Sequence, residues 1–133
     1  VGPKAMEMAA DYSDGLAGFS FNADIEEIKD SFTRVVNAFT DSKKTPRLVT
    51  SFWFGLGQNS RQDIQIHLNR YLGWMGEDLA SELSKTAGLA GSERDLKEFL
   101  LEIKEAGATD VLLVPTSKDI GQLIAAEEII ASI

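Results

Sequence analysis

The run RLVTSFWFGL, Arg47–Leu56, narrows the fold more than any other part of the sequence. It is nearly continuous in apolar, β-branched and aromatic residues, which is the composition of a strand. It lacks the alternation of a strand with one wet face. Strands covered on both faces read this way, and they belong to parallel sheets flanked by helices. The segment before it agrees. Asn22–Thr40 places Ile25, Ile28, Phe32, Val35, Val36 and Phe39 at spacings of three and four, with Glu26, Glu27, Lys29, Asp30 and Arg34 off that stripe, and so predicts an amphipathic helix. Asp24 followed by Glu27 resembles a capping box, and Asn22 is an alternative cap.

Further elements follow from local signals. Pro3 suits a first helical position, so Lys4–Ser13 is predicted as a helix. DGLAGFS, Asp14–Ser20, reads as a short glycine-rich strand. Asn59 is the expected cap of a helix with Ile64, Leu68, Tyr71, Leu72 and Met75 on one face. Gly73 and Gly76 should interrupt it before a shorter helix in EDLASELSKTAG. Ser92 with Asp95 opens a helix faced by Leu96, Phe99, Leu100 and Ile103, and Gly107 ends it where a positive φ costs little. TDVLLVP is a strand ended by Pro115, and SKDIGQLIAAEEIIASI is a final helix. Strands alternating with helices predict parallel βα units with right-handed crossovers. About three parallel strands would leave two unpaired edges, so the sheet is expected to be completed by more chain or by a second copy.

Composition acts mainly by exclusion. A chain of 133 residues, 44% hydrophobic, has the size of one domain or of one piece of a larger one. Its formal charge of −8 argues against a nucleic-acid partner, and the one basic cluster, Lys43, Lys44 and Arg47, reads as a solvated loop. The absence of cysteine excludes disulfides, thiolate metal sites and a cysteine nucleophile. No apolar run approaches the roughly 20 residues that cross a bilayer, and no leader pattern opens the sequence. The expectation is a soluble cytoplasmic protein with no membrane partner.

Few residues carry a chemical signal. Gly2-Pro3-Lys4 at a helix start offers free N–H groups, half a positive charge and close backbone access, which suits a phosphate. Gly55-x-Gly57 follows a strand as a dinucleotide-binding turn would. Ser60 replaces the third glycine, however, and no acidic strand end follows, so a tight strand-to-helix loop is the expectation. His67 is the sole histidine and lacks partners at metal-ligand or triad spacing, which predicts a helix-surface residue and no metal. Glu26 with Glu27, and Glu127 with Glu128, read as helix-face charges; Trp53 and Phe54 read as core. Thr116 and Ser117 follow the last strand, where parallel α/β folds place ligand groups.

Taken in order, GPKAMEMAADYSDGL, RLVTSFWFGLG, YLGWMGEDLASEL and AGATDVLLVP resemble the C-terminal half of luciferase-like flavin-dependent monooxygenases and their deazaflavin-dependent oxidoreductase relatives, from Gly2 to about Ile130. The resemblance implies an α/β fold, a partial TIM (β/α)8 barrel. DGLAGFS would be its sixth strand, RLVTSFWFGLG its seventh and TDVLLVPTS its eighth, with Asn59–Gly107 between the last two. Such barrels take about 250 residues. Residues 1–133 are therefore expected to be a single fragment that lacks an N-terminal half or forms a homo-oligomer. In the family, the turn matching Val1, Gly2, Pro3 and Lys4, with Ala5, helps bind the phosphate of FMN or of a deazaflavin; Thr116 and Ser117 would join it at the barrel mouth. The implied function is oxidoreduction of a small-molecule substrate. Most ring-binding and substrate-contacting positions of the family fall outside the chain, so no catalytic residue is assigned. The alternative is a non-catalytic half-barrel that associates with itself.

Overall fold

The computed structural model describes residues 2–133, and in it Pro3 is the first residue of helix α1, Pro3–Tyr12. The elements that follow are β1 (Gly15–Ala17), α2 (Ile25–Phe39), β2 (Arg47–Leu56), α3 (Ser60–Tyr71), α4 (Glu77–Ser84), β3 (Leu89–Gly91), α5 (Glu93–Glu105), β4 (Asp110–Pro115) and α6 (Ile120–Ala131). The result is a mixed α/β fold in which β2 is the central strand and every pairing is parallel. β1 pairs with the start of β2, at Arg47–Val49, and β3 with its end, at Phe54–Leu56. Val49 pairs with both Ala17 and Asp110, so β4 runs along the opposite edge.

Among the described residues four strands stand where about three were expected. The addition, Leu89–Gly91, is three residues long and has no periodicity of its own; its pairing with β2 makes it a strand. β1 is likewise shorter than the seven-residue reading, yet its line continues along β2 irregularly. Gly18 N–H donates to Val49 O at 2.9 Å and Ser20 N–H to Ser51 O at 2.9 Å.

Alternation along β2 separates two packing faces. Leu48, Phe52, Phe54 and Leu56 point to a core built with α1, α2, α5 and α6, where Ile28, Val35, Phe39, Leu96 and Ile103 are buried. Trp53 points the other way, into a smaller cluster with Ile64, Leu68, Leu72, Ala80 and Ala87. α3 and α4 therefore lie over the C-terminal end of the second sheet face. The rest of that face is open, and Leu112 on β4 is 58% exposed.

The caps were partly legible. Asp24 caps α2 by accepting from Glu26 N–H at 2.9 Å and Glu27 N–H at 3.4 Å, but the reciprocal half of a capping box is replaced: the Asp24 N–H goes to Ser20 Oγ at 3.0 Å. Asn22 is occupied elsewhere, as its Oδ1 accepts from Thr86 Oγ1 at 3.1 Å. Asn59 precedes α3 without any side-chain cap bond, contrary to expectation. Tyr71 leaves the predicted buried face and is 63% exposed, because α3 ends there and a 3-10 turn, Gly73–Met75, reorients the chain. Gly107, at φ 103°, ends α5 as predicted.

Ser92 and Asp95 form the reciprocal box at α5. The Ser92 backbone N–H, at 2.8 Å, and its hydroxyl hold the Asp95 carboxyl below its ordinary value of 3.8. A depressed folded value means that the contribution to stability is full above the unfolded pKa and is lost as pH falls through the folded one. Titration of the Asp95 carboxyl carbon by NMR should give a midpoint below 3.8, and Ser92→Ala should move it part of the way back. A midpoint that ignores the substitution would mean the box does not form in solution.

Candidate ligand site at the C-terminal ends of the strands

In parallel sheets the strand ends converge their carbonyls and loops on one rim, and ligands bind there. Two glycines shape this rim. A Cβ on Gly55 would lie 3.0 Å from Ser60 O and 3.3 Å from Thr116 Oγ1, and Gly57 holds φ 97°. Gly55-x-Gly57 therefore lets the chain turn tightly from β2 into α3 while the end of β4 closes against it. This is the strand-to-helix loop expected from the sequence.

Thr116 fastens that closure. Its hydroxyl donates to Phe54 O at 2.9 Å and its N–H reaches the same oxygen at 3.3 Å. Ser117 Oγ accepts from Asp119 N–H at 3.1 Å, leaving its own proton uncommitted. Asp119 in turn caps α6 through Gly121 N–H at 2.9 Å, and Gln122 Oε1 accepts from Leu56 N–H at 3.0 Å. The loop after β4 is thus fixed to the end of β2 on one side and to α6 on the other.

Between that loop and α3 lies a cleft of about 440 Å³, with Thr116, Ser117 and Lys118 on one wall and Ile66, His67 and Arg70 on the other. His67 stacks on Tyr71, with ring planes 8° apart and centroids at 6.4 Å. The sequence reading placed His67 on a helix surface, which is correct as far as it goes. It missed the cleft, because α3 and the loop after β4 meet only through the tertiary fold. Beneath them Trp53 is 7% exposed, with Phe19 and Phe21 edge-on to its ring at centroid distances of 4.6 and 5.1 Å. Both Trp53 and Phe54 are buried, as expected, though on opposite faces of the sheet.

The other predicted residues stand apart. Val1 lies outside the described residues, while Gly2, Pro3, Lys4 and Ala5 are all exposed at the start of α1. The N–H groups of Lys4 and Ala5 precede the first intrahelical bond, Met6 N–H to Gly2 O at 3.1 Å, and among the described residues no side chain caps them. Space is open where a Cβ on Gly2 would lie. The donors and the room both fit a phosphate. α1 sits beside β1 on one side of β2, and Thr116 and Ser117 follow β4 on the other, so the fold does not gather the two groups into one cleft. Among the described residues, no group of three His, Cys, Asp or Glu side chains could hold a metal, and no helix is long and apolar enough to cross a membrane.

No family model matches the sequence, and no curated protein does. Among solved structures, the chain is similar to an F420-dependent secondary alcohol dehydrogenase in complex with an F420-acetone adduct, with a TM-score of 0.67 at 14% identity. The likeness covers 93% of this chain and 44% of that one, so the chain spans less than half of its neighbour's length. At this identity the likeness is one of fold: the parallel sheet and its helices are arranged as in part of that dehydrogenase.

Proposed function

We propose that the chain is the C-terminal part of a luciferase-like (β/α)8 barrel whose intact form is a deazaflavin-dependent oxidoreductase. The observation that carries this reading is the all-parallel sheet that lies along less than half of an F420-dependent enzyme and, among the described residues, has both outer edges unpaired. Exposed Ile120, Ile124 and Ile130 on α6, together with Leu112, fit a fold against which more barrel packs. β1, β2 and β4 then stand as strands six, seven and eight. The start of α1 holds the cofactor phosphate, through the N–H groups of Lys4 and Ala5 and the Lys4 ammonium, with Gly2 giving close access. When bound, a deazaflavin supplies hydride transfer, and the protein positions it and shapes the field around it. FMN and an oxygen-activating reaction are the second cofactor arm of the same reading.

Fluorescence titration of the chain with F420 and with FMN tests the proposal. F420 is expected to bind, and Lys4→Gln to weaken it about threefold, the scale of an exposed ion pair worth about 0.5–1 kcal/mol. Binding of neither cofactor rejects the phosphate site at the start of α1. A second reading, a non-catalytic module that pairs its edges with a second copy, is favoured by the unpaired outer edge of β4. Sedimentation showing a clean dimer, with no cofactor bound, would select it.

A further inference from the structure

The cleft between α3 and the loop after β4 gathers two basic side chains, Arg70 and Lys118. The chain carries a formal charge of −8, and most of its arginines are paired or bonded. Arg70 and Lys118 are not: among the described residues, neither makes an ion pair or a side-chain hydrogen bond, yet they come together here from distant parts of the sequence. His67, the sole histidine, lines the same cleft and, among the described residues, has no hydrogen-bond partner. One carboxylate, Asp63, shares the cleft.

The neutral donors agree with the charges. Ser117 accepts from Asp119 N–H, so its hydroxyl proton is left to point at a ligand, whereas the Thr116 proton is spent on Phe54 O. An acceptor-only group therefore meets an arginine fork, an ammonium and a hydroxyl, the set that recognises a phosphate or carboxylate. Ile66, 46% exposed, adds an apolar wall, so the ligand has a carbon skeleton as well as a charge. The volume of about 440 Å³ is that of a small-molecule site.

We infer that this cleft binds the anionic end of a small organic substrate, a phosphate monoester in chemical class, through Arg70, Lys118, His67 and the Ser117 hydroxyl. The assignment of that anion to the substrate rests on the reading proposed above, which gives the cofactor phosphate to the start of α1, across β2 from this cleft.

The His67 imidazole signals report on the cleft by NMR without ambiguity, since no other histidine is present. Titration with glycerol 3-phosphate is expected to shift them saturably, and glycerol to leave them in place. Arg70→Gln and Lys118→Gln should each weaken the binding about threefold, the scale of an exposed ion pair, and the double substitution about tenfold; both side chains are exposed and unbonded, so neither change removes a fold contact. Lys97→Gln, at an exposed lysine on α5, should leave it unchanged. Absence of a saturable shift, or a shift that survives both cleft substitutions, overturns the site. F420 added during the titration should leave the glycerol 3-phosphate affinity unaltered. Competitive displacement would give the cleft to the cofactor phosphate and overturn the substrate assignment. Binding of glycerol 3-phosphate with no binding of F420 keeps the anion site and rejects the cofactor-phosphate site at the start of α1, so the two failures are distinguishable.

Discussion

Phe52→Ala is expected to lower the unfolding free energy by about 3–5 kcal/mol, the range for removing a large aromatic from a filled core. Phe52 is 0% exposed, at the middle of β2, and its ring stands at 90° to Phe99 of α5 with centroids 5.0 Å apart. It joins the strand that every other strand pairs with to a helix that also contacts α2 and α6. Alanine there leaves a cavity bounded by sheet on one side and helix on the other, and neither can collapse far without breaking the β2 ladder. A total stability of roughly 5–15 kcal/mol is usual for a domain, so this one change removes a large share of it. Urea unfolding followed by circular dichroism should show a lower midpoint with little change in slope, and Phe52→Leu a smaller drop. A loss below about 1 kcal/mol would show that the site repacks and that β2 is not the centre of the core.

Trp53→Ala is expected to cost a similar amount, about 3–5 kcal/mol, but to act on a different part of the molecule. The indole faces away from the main helix core and holds α3 over the strand ends through Ile64 and Leu68, with Phe19, Phe21 and Tyr71 edge-on around it. Its removal should loosen α3 and α4 while α2 and α5 keep their packing. Hydrogen exchange would show this as lost protection at Ser60–Tyr71 and Glu77–Ser84 with protection retained at Glu93–Glu105. Because His67 and Arg70 lie on α3, the anion cleft should open and glycerol 3-phosphate binding should fall by at least as much as in Arg70→Gln. Uniform loss of protection across all helices would mean that the two faces are one cooperative unit and would remove Trp53 from its special place. The remaining tryptophan, Trp74, is 81% exposed, so the variant's emission should also shift toward that of a solvated indole.

The Arg47 to Asp110 ion pair, which joins the starts of β2 and β4, also depresses the Asp110 carboxyl through the Arg47 hydrogen bond. In the sequence Arg47 belongs to a basic cluster with Lys43 and Lys44 that reads as a solvated loop. Its position as the first residue of β2, two positions before the Val49 to Asp110 register, gives it a partner that no local pattern could announce. Exposed pairs of this kind add little stability, and here the pair marks register more than it holds the sheet.

What the sequence settled by itself is what neighbours in the chain can settle. The apolar run of β2, the stripe on α2, the Ser92 to Asp95 box and the positive φ of Gly107 depend on residues within a turn or two of one another, so their physics is complete over a short segment. Tertiary structure decided the rest. Leu89–Gly91 is a strand only because Phe54–Leu56 offers it a free edge. Asn22 yields the cap to Asp24 because Thr86 claims its side chain. Arg70 and Lys118 share a cleft only because Trp53 holds α3 across the end of the sheet. The division has one physical cause: hydrogen-bond and rotamer preferences act over a few residues, whereas burial and the convergence of charge depend on which distant segments the core brings into contact.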